Sequence, residues 1–517
     1  MGARGPLGLE QLASAPRGAP RHLEVGVMNG RRTPVIVAVI VALGAVMAAD
    51  RLLVIEPAPR VFETPAVAAP GPGSSGTTWY CPGGSTSAEG DAELTVIVAN
   101  TAADPVEGIA TVVAFSPGAP TPPPPVQERF ALEGHTRLVL SPKDLVQSPH
   151  VAVTVEVDGG SVVVEQGVSS GSGFDLAACA TSGSRTWYFA DGATTRSSSL
   201  LLHLYNPFSV PAIVDLAFAA TEGRAEPADL QGVVVPPRAL VAVNVGDHVR
   251  REAAVSTSIA ARSGRLVAGK IGRRAEPGQR GVVAGLGAPN AAGTWRFPEG
   301  VVGGGVVERF HLYNPTEAEA LVDLEMVLDD GVFEPIEVPV PAQGRTTLTV
   351  NGEAEAGVQV PDGVGHSALF RSLNGVDVVV ERGLEASGRK LGLATTVGAT
   401  EPALKWGLAA GVATSAVEEW IIVQNASDQP NLVAVTAIGA GRSQVLDTLG
   451  GLTVPPLGRR GFKLNDILAA VGTGASGAEV LEAALVVEGQ HPIVVERAIY
   501  RVGRGGISTT LAIPFLP

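Results

Sequence analysis

Four tryptophans, Trp79, Trp187, Trp295 and Trp406, recur at spacings of 108, 108 and 111 residues, and each heads a segment that aligns with the others. Self-similarity at a fixed period marks a tandem array, in which one supersecondary unit is copied and the copies stack. Each copy is long enough to be a domain. The chain is therefore expected to hold four modules, at 77–184, 185–292, 293–403 and 404–517.

Within a repeat the pattern is that of short strands. Five residues after each Trp stands a glycine, Gly84, Gly192, Gly300 or Gly411, which predicts a tight turn with positive φ. An alternating strand follows and closes on Asn100, Asn206, Asn314 or Asn425. The positions four and two before Asn are apolar in every copy (Val96 and Val98, Leu202 and Leu204, Phe310 and Leu312, Ile421 and Val423) and define a buried face. Further strands are expected at Ala212–Ala220 and Ala320–Leu328, then proline-marked edges at Val235-Pro236-Pro237, Val338-Pro339-Val340-Pro341 and Val454-Pro455-Pro456. Short helical turns are expected at Lys143–Val146, Asp247–Arg250 and Asn465–Ala469. Each repeat ends in an alternating strand that carries Glu165, Lys270, Glu381 or Glu496. Six or seven strands in a repeat of this length describe a two-sheet sandwich; propeller blades need only about 40 to 50 residues. The expected fold is all-β: four immunoglobulin-like β-sandwich modules in tandem after an N-terminal transmembrane helix.

That helix is read from Val35 to Ala49, an apolar run preceded by Arg31 and Arg32 and ended by Asp50 and Arg51. Residues 1–33 then form a basic cytoplasmic N-terminus, 34–55 a transmembrane signal anchor, and 56–76 a Pro/Gly-rich linker, an extended spacer. The rival is a signal peptide cleaved near Val46-Met47-Ala48, and Met28 is an alternative start. Either way the residues after about 56 are exported, in a single-pass membrane protein or a secreted one.

Composition narrows the partners. Apolar residues make up 45% of the chain but aromatics only 4%, so the cores are aliphatic. A formal net charge of −14 gives no basic stripe for phosphate, which argues against nucleic acid and against broad contact with anionic lipid. The two cysteines, Cys81 and Cys179, both fall in the first repeat and are expected to pair, with two buried free thiols as the alternative. Two thiols without histidine partners lack the ligands of a metal site.

The strings Trp187-Tyr188-Phe189-Ala190-Asp191-Gly192, Leu202-His203-Leu204-Tyr205-Asn206-Pro207, Val454-Pro455-Pro456 and Val494-Val495-Glu496-Arg497 resemble the repeats of an actinobacterial-type secreted or membrane-anchored family of unknown function. The resemblance runs from Thr77 onward and implies location and fold, with no reaction attached. The first repeat departs from it with Cys81-Pro82, the second with Lys270, and the fourth lacks Asn-Pro.

No catalytic, cofactor or metal site is expected. Gly167-Val168-Ser169-Ser170-Gly171 matches the nucleophile-elbow pattern, but that motif needs a strand, a strained turn and a helix, so a flexible turn is expected. Glu165, Glu381 and Glu496 sit one to a module and are read, with Lys270, as charges on the outward face of an edge strand. In a linear array they would not converge. His203 and His311 stand where other copies have Ile97 and Ile422, which marks a less constrained strand face. The four periodic tryptophans are read as core or seam. Trp420, which breaks the period, is the one candidate ligand contact.

The functional expectation is a non-enzymatic, membrane-tethered scaffold, a rod or curved stack, whose partner is a cell-envelope glycan or an exported protein. A glycan-binding array serving polysaccharide assembly or export is the alternative, and a secreted hydrolase a third.

Overall fold

The structure is a computed structural model that describes residues 67–71, 74–118, 123–159, 161–221, 223–276, 279–329, 331–351, 358–414, 416–446, 452–464, 481–501 and 506–516. Its elements are β-strands with four short 3-10 turns. Two of those turns, Pro142–Asp144 and Val245–Asp247, fall where helical turns are expected. Asn465–Ala469, the cytoplasmic N-terminus and the anchor at 34–55 lie outside the described residues; among those described, no helix is long and apolar enough to cross a membrane.

Each of the first three repeats contributes two antiparallel sheets. In the second, one sheet runs Gly223–Ala225, Ala212–Ala220, Ser256–Ser263, Thr186–Phe189, and the other Ala239–Asn244, Ser198–Asn206, Val267–Glu276, Gln279–Leu286. In the fourth, the 18-residue strand Ala484–Arg501 belongs to both halves and joins nine strands into one sheet. The expected apolar face holds: Val96, Val98, Leu202, Leu204, Phe310, Leu312, Ile421 and Val423 are all fully buried.

Three recurring residues have definite tasks. The tryptophans are core: Trp187, Trp295 and Trp406 are buried, and their indole N–H donates to the carbonyls of Leu266 and Val378, just before the last long strand of the second and third repeats, and of Ile493, midway along that of the fourth. Trp79 is equally buried, but its indole nitrogen has no hydrogen-bond partner. The asparagines do more than stop a strand. Each side-chain amide donates to the carbonyl four residues on (Asp104, Val210, Ala318 or Gln429), while its oxygen accepts from the N–H two residues on. The amide also reaches the neighbouring strand or the proline turn after it, at Leu132, Val235, Val340 and Val454, so a buried amide closes the turn and pins two strands together.

The third task corrects an expectation. Gly84, Gly192, Gly300 and Gly411 are not among the residues with positive φ. They are glycine because the chain passes too close for a Cβ. One on Gly300 would lie 2.3 Å from the His366 ring, and one on Gly411 would lie 2.4 Å from the Ala483 carbonyl oxygen. Tight packing, not backbone handedness, selects the residue.

Both faces of the strand before Asn are buried, which overturns the reading of His203 and His311. Ile97, His203, His311 and Ile422 are between 1% and 6% exposed, because the supposedly free face packs on a neighbouring repeat. The repeats do not extend in a line. Their inner strands, Gly173–Ala178, Gln279–Leu286, Gly392–Val397 and Ile507–Leu511, meet around one axis. A Cβ on Gly281 would sit 2.7 Å from the Leu393 nitrogen, one on Gly392 2.6 Å from the Ile507 nitrogen, and one on Gly506 2.8 Å from the Phe174 ring. The Ala284 N–H donates to Asp175, linking the first repeat to the second. First touches second, second third, third fourth, and fourth first: the array closes into a ring.

Cys81 and Cys179 form a disulfide that ties the first strand of the first repeat to its exit. Closing a loop of this length is worth up to about 4.7 kcal/mol in the chain-entropy model. Part of the expected linker is also built in. Ala68 and Ala69 are buried, the Ala69 N–H donates to the Pro514 carbonyl, and the Leu516 N–H donates back to Ala69. The described end of the spacer is thus a strap on the C-terminal strand.

Gly411→Ala is expected to cost about 1–3 kcal/mol or more, since the new methyl meets backbone that has nowhere to move. Gly192→Ala, whose Cβ meets the end of the Leu200 side chain at 2.5 Å and backbone only at the Val255 carbonyl oxygen, 3.0 Å away, should cost less. Urea midpoints of the two variants test the order.

Candidate functional site

The ionisable residues that recur in the repeats converge on the seams. Glu165, Lys270, Glu381 and Glu496 are at most 2% exposed, not on an outward edge. Each lies on a long strand at a register where its side chain points across to another repeat. Glu165 of the first repeat takes the Arg497 guanidinium of the fourth at 2.8 and 3.2 Å and accepts the Ala410 N–H at 2.6 Å. Glu496 of the fourth takes Arg382 of the third at 2.5 Å and accepts the Glu299 N–H at 3.0 Å. Glu381 of the third takes Lys270 of the second at 3.1 Å and accepts the Asp191 N–H at 2.5 Å. One rule generates all three: each glutamate receives the N–H four residues after the neighbour's Trp, together with a cation from the neighbour's long strand.

The seam between the first and second repeats departs from the rule because Lys270 stands where the glutamate would be. The waiting N–H there, Gly83, donates instead to Gln166 of its own repeat at 3.4 Å. This seam is tied by His150 to His203 at 3.1 Å and Thr154 to Tyr205 at 2.6 Å. Burial, and then His150 beside it, push the His203 ring down to about 3, so it is neutral near pH 7. It serves packing and hydrogen bonding there.

Further pairs thicken the seam between the third and fourth repeats. Arg459 reaches Glu299 at 3.2 Å, Asp329 at 2.8 Å and the Pro298 carbonyl at 3.0 Å, and inside the third repeat His366 meets Glu308 at 2.6 Å. Trp420 is half-buried here against Val306, Leu384, Ala386 and Tyr500. On the axis, Asp175 accepts from Ser508 at 2.7 Å, from the Leu176 N–H and from the Ala284 N–H, both at 2.9 Å, and so joins three repeats. Burial raises its carboxyl to about 8, against the lowering effect of those hydrogen bonds.

Two clefts open at the seams. One, between the second and third repeats, is lined by Asp191, Lys270, Arg273, Arg274, Arg309 and Glu385. The other, on the first repeat, is lined by Ser87, Asp91, Gln147, Ser169 and Ser170, and Arg273 belongs to both. The nucleophile-elbow match resolves here. Val162–Ser170 is a strand and the turn comes after it, with no helix following and no histidine lining the cleft. Among the described residues no group of three or more His, Cys, Asp or Glu is arranged to hold a metal.

Sequence reasoning located the glutamates but not their partners, and it passed over the inner glycines and Asp175. The glycines were legible as a recurring Gly followed by an apolar residue, Gly173-Phe174, Gly281-Val282, Gly392-Leu393 and Gly506-Ile507. Asp175 has no counterpart in other copies, where Val283, Ala394 and Ser508 stand, so repetition offered no signal for it.

A family of unknown function, DUF5719, matches over residues 146–276, from the end of the first repeat through most of the second. This agrees with an uncharacterised repeat family. Among solved structures the chain is similar to the crystal structure of a tetra-tandem repeat in the extending region of a large adhesion protein, at 13% identity over 80% of this chain and 94% of that one, with a TM-score of 0.10. No curated protein matches the chain.

Two outcomes are expected. Arg497→Met alone leaves Glu165 buried without its cation and should cost about 3–5 kcal/mol, whereas Glu165→Met with Arg497→Met should recover most of the loss; a double-mutant cycle by chemical denaturation reads the coupling. The second concerns Asp175. Its folded carboxyl titrates above the unfolded value of about 3.9, so the fold favours the neutral form. That contribution is complete below the unfolded value and is lost as pH rises toward about 8. Asp175→Asn should flatten that decline in stability, measured by urea unfolding across the same range.

Proposed function

We propose that this chain is a non-enzymatic, membrane-tethered extracytoplasmic protein that presents four immunoglobulin-like sandwich modules as one closed platform and scaffolds or binds a cell-envelope component. The observation that carries this reading is how the recurring ionisable residues are spent. Glu165, Glu381, Glu496, Lys270, Arg382 and Arg497 are buried and paired across seams. Groups engaged in this way hold shape and are not free to move protons for a substrate. The disulfide suits an oxidising compartment, and the basic, apolar, proline-rich order of residues 31–72 suits an anchor and spacer. The glycan-binding alternative draws on the hydroxyl-lined cleft at Ser87, Ser169 and Ser170.

Affinity capture with the full chain against envelope extract tests the reading. A retained envelope polymer or exported protein, lost when the ring is opened by Arg497→Met, is the expected result. Turnover of an envelope substrate that falls in Ser169→Ala or Glu165→Gln would replace the scaffold with an enzyme.

A further inference from the structure

The seams are built from equivalent positions but are not filled alike. Between the third and fourth repeats, Leu384, Trp420 and Tyr500 pack with Val306, Ala386 and Ala394 into an apolar plug. Counted from the recurring Glu and Asn, the same three places at the seam of the second and third repeats are Arg273, Arg309 and Glu385. No plug forms there, and the first cleft opens in its stead.

The chemistry of that opening is cationic. Lys270, Arg273, Arg274 and Arg309 line it against Asp191 and Glu385, in a chain that has 51 acidic residues to 37 Lys and Arg. Lys270 is committed to Glu381 behind it. Arg274 and Arg309 share the single carboxylate of Glu385, the latter at 2.5 Å. A guanidinium carries five N–H donors, so one carboxylate does not exhaust two of them. Arg273 is largely exposed and only loosely held by Asp91, at 3.5 Å. It forms the ridge between this cleft and the second one, whose Ser87, Gln147, Ser169 and Ser170 offer hydroxyl and amide groups beside Asp91, which faces Arg273, and Glu93, which Lys143 neutralises.

We propose that the two clefts together bind an acidic polysaccharide. This rests on the envelope-binding reading above and names its ligand class. A sugar carboxylate seats on Arg273, Arg274 and Arg309, where planar guanidiniums match a planar anion. The adjoining sugar runs over the Arg273 ridge and exchanges hydrogen bonds with the serine hydroxyls and the Gln147 amide. Glu385 is an internal competitor that holds the arginines in place when the cleft is empty. An anionic lipid surface fits less well, because among the described residues none of the exposed large hydrophobic ones lines either cleft to anchor it.

Isothermal titration of the full chain in detergent micelles with oligogalacturonate, neutral cello-oligosaccharide and inorganic phosphate tests this. The acidic oligomer should bind and weaken as salt rises, and the other two should bind at least about tenfold more weakly, which is ~1.4 kcal/mol. The double variant Arg273→Ala, Arg309→Ala should lose about tenfold or more. Glu385→Gln should bind more tightly, a gain that general damage to the fold would not produce. Arg224→Ala, an exposed arginine paired with Glu226 and lining neither cleft, should leave affinity unchanged. Equal binding of the neutral oligomer, no binding of the acidic one, or undiminished binding in the double variant overturns the proposal. If the double variant still captures its envelope partner from extract, the function stands and this assignment of its ligand falls.

Discussion

A buried carboxylate has to be answered, and at three seams of this molecule the answer comes from the adjoining repeat. Removing a charge from water costs several kcal/mol, which is recovered only when a counter-charge and hydrogen bonds meet it in good geometry. Glu165, Glu381 and Glu496 obtain both, a cation from the neighbour's long strand and an N–H from the neighbour's Trp turn. No repeat that carries one is complete by itself. Pairs of this kind add little net stability over apolar packing, but they tolerate few alternative registers. Their place at three of four seams makes register their natural task.

Closure follows from the same requirement. Glu165 lies in the first repeat and Arg497 in the last, so this pair is satisfied only if the ends of the array meet. Gly281, Gly392 and Gly506 let the inner strands approach the axis, Asp175 bridges three repeats there, and the strap at Ala69 pairs with the C-terminal strand. The seam between the first and second repeats, where Lys270 replaces a glutamate, is relieved of the buried ion pair: Gln166 takes the Gly83 N–H within the first repeat, and His203 and Tyr205 reach His150 and Thr154 across the seam. Loss of strict repetition at Lys270 and at Arg309 makes the seams unlike one another. In the second case it leaves an opening of distinct chemistry.

Particular residues show why some of this was readable and some was not. The alternation around Leu202 and Leu204 reports one buried face, because a strand in a two-sheet unit places every second side chain inside. The same alternation put His203 and His311 on the less constrained face, since periodicity within a repeat says nothing about what covers its other face. Gly300 and Gly411 are read from the sequence as turn glycines, but a turn and a close approach select glycine equally well, and only the position of the His366 ring or the Ala483 carbonyl separates them. The glutamates looked like edge guards because an edge strand and a strand at a seam carry the same pattern.

From the chain itself came the four-copy period, the all-β character, the aliphatic core, the pairing of Cys81 with Cys179 and the burial of the periodic tryptophans. These rest on local periodicity and on spacing, which a sequence records directly. Tertiary structure alone decided that the copies close on themselves, that Glu165 meets Arg497 across 332 positions, and that Arg309 and Glu385 frame a cleft where Trp420 and Tyr500 fill one. The physical reason is that these contacts join residues far apart in the chain, and their energy depends on how the faces of whole repeats meet.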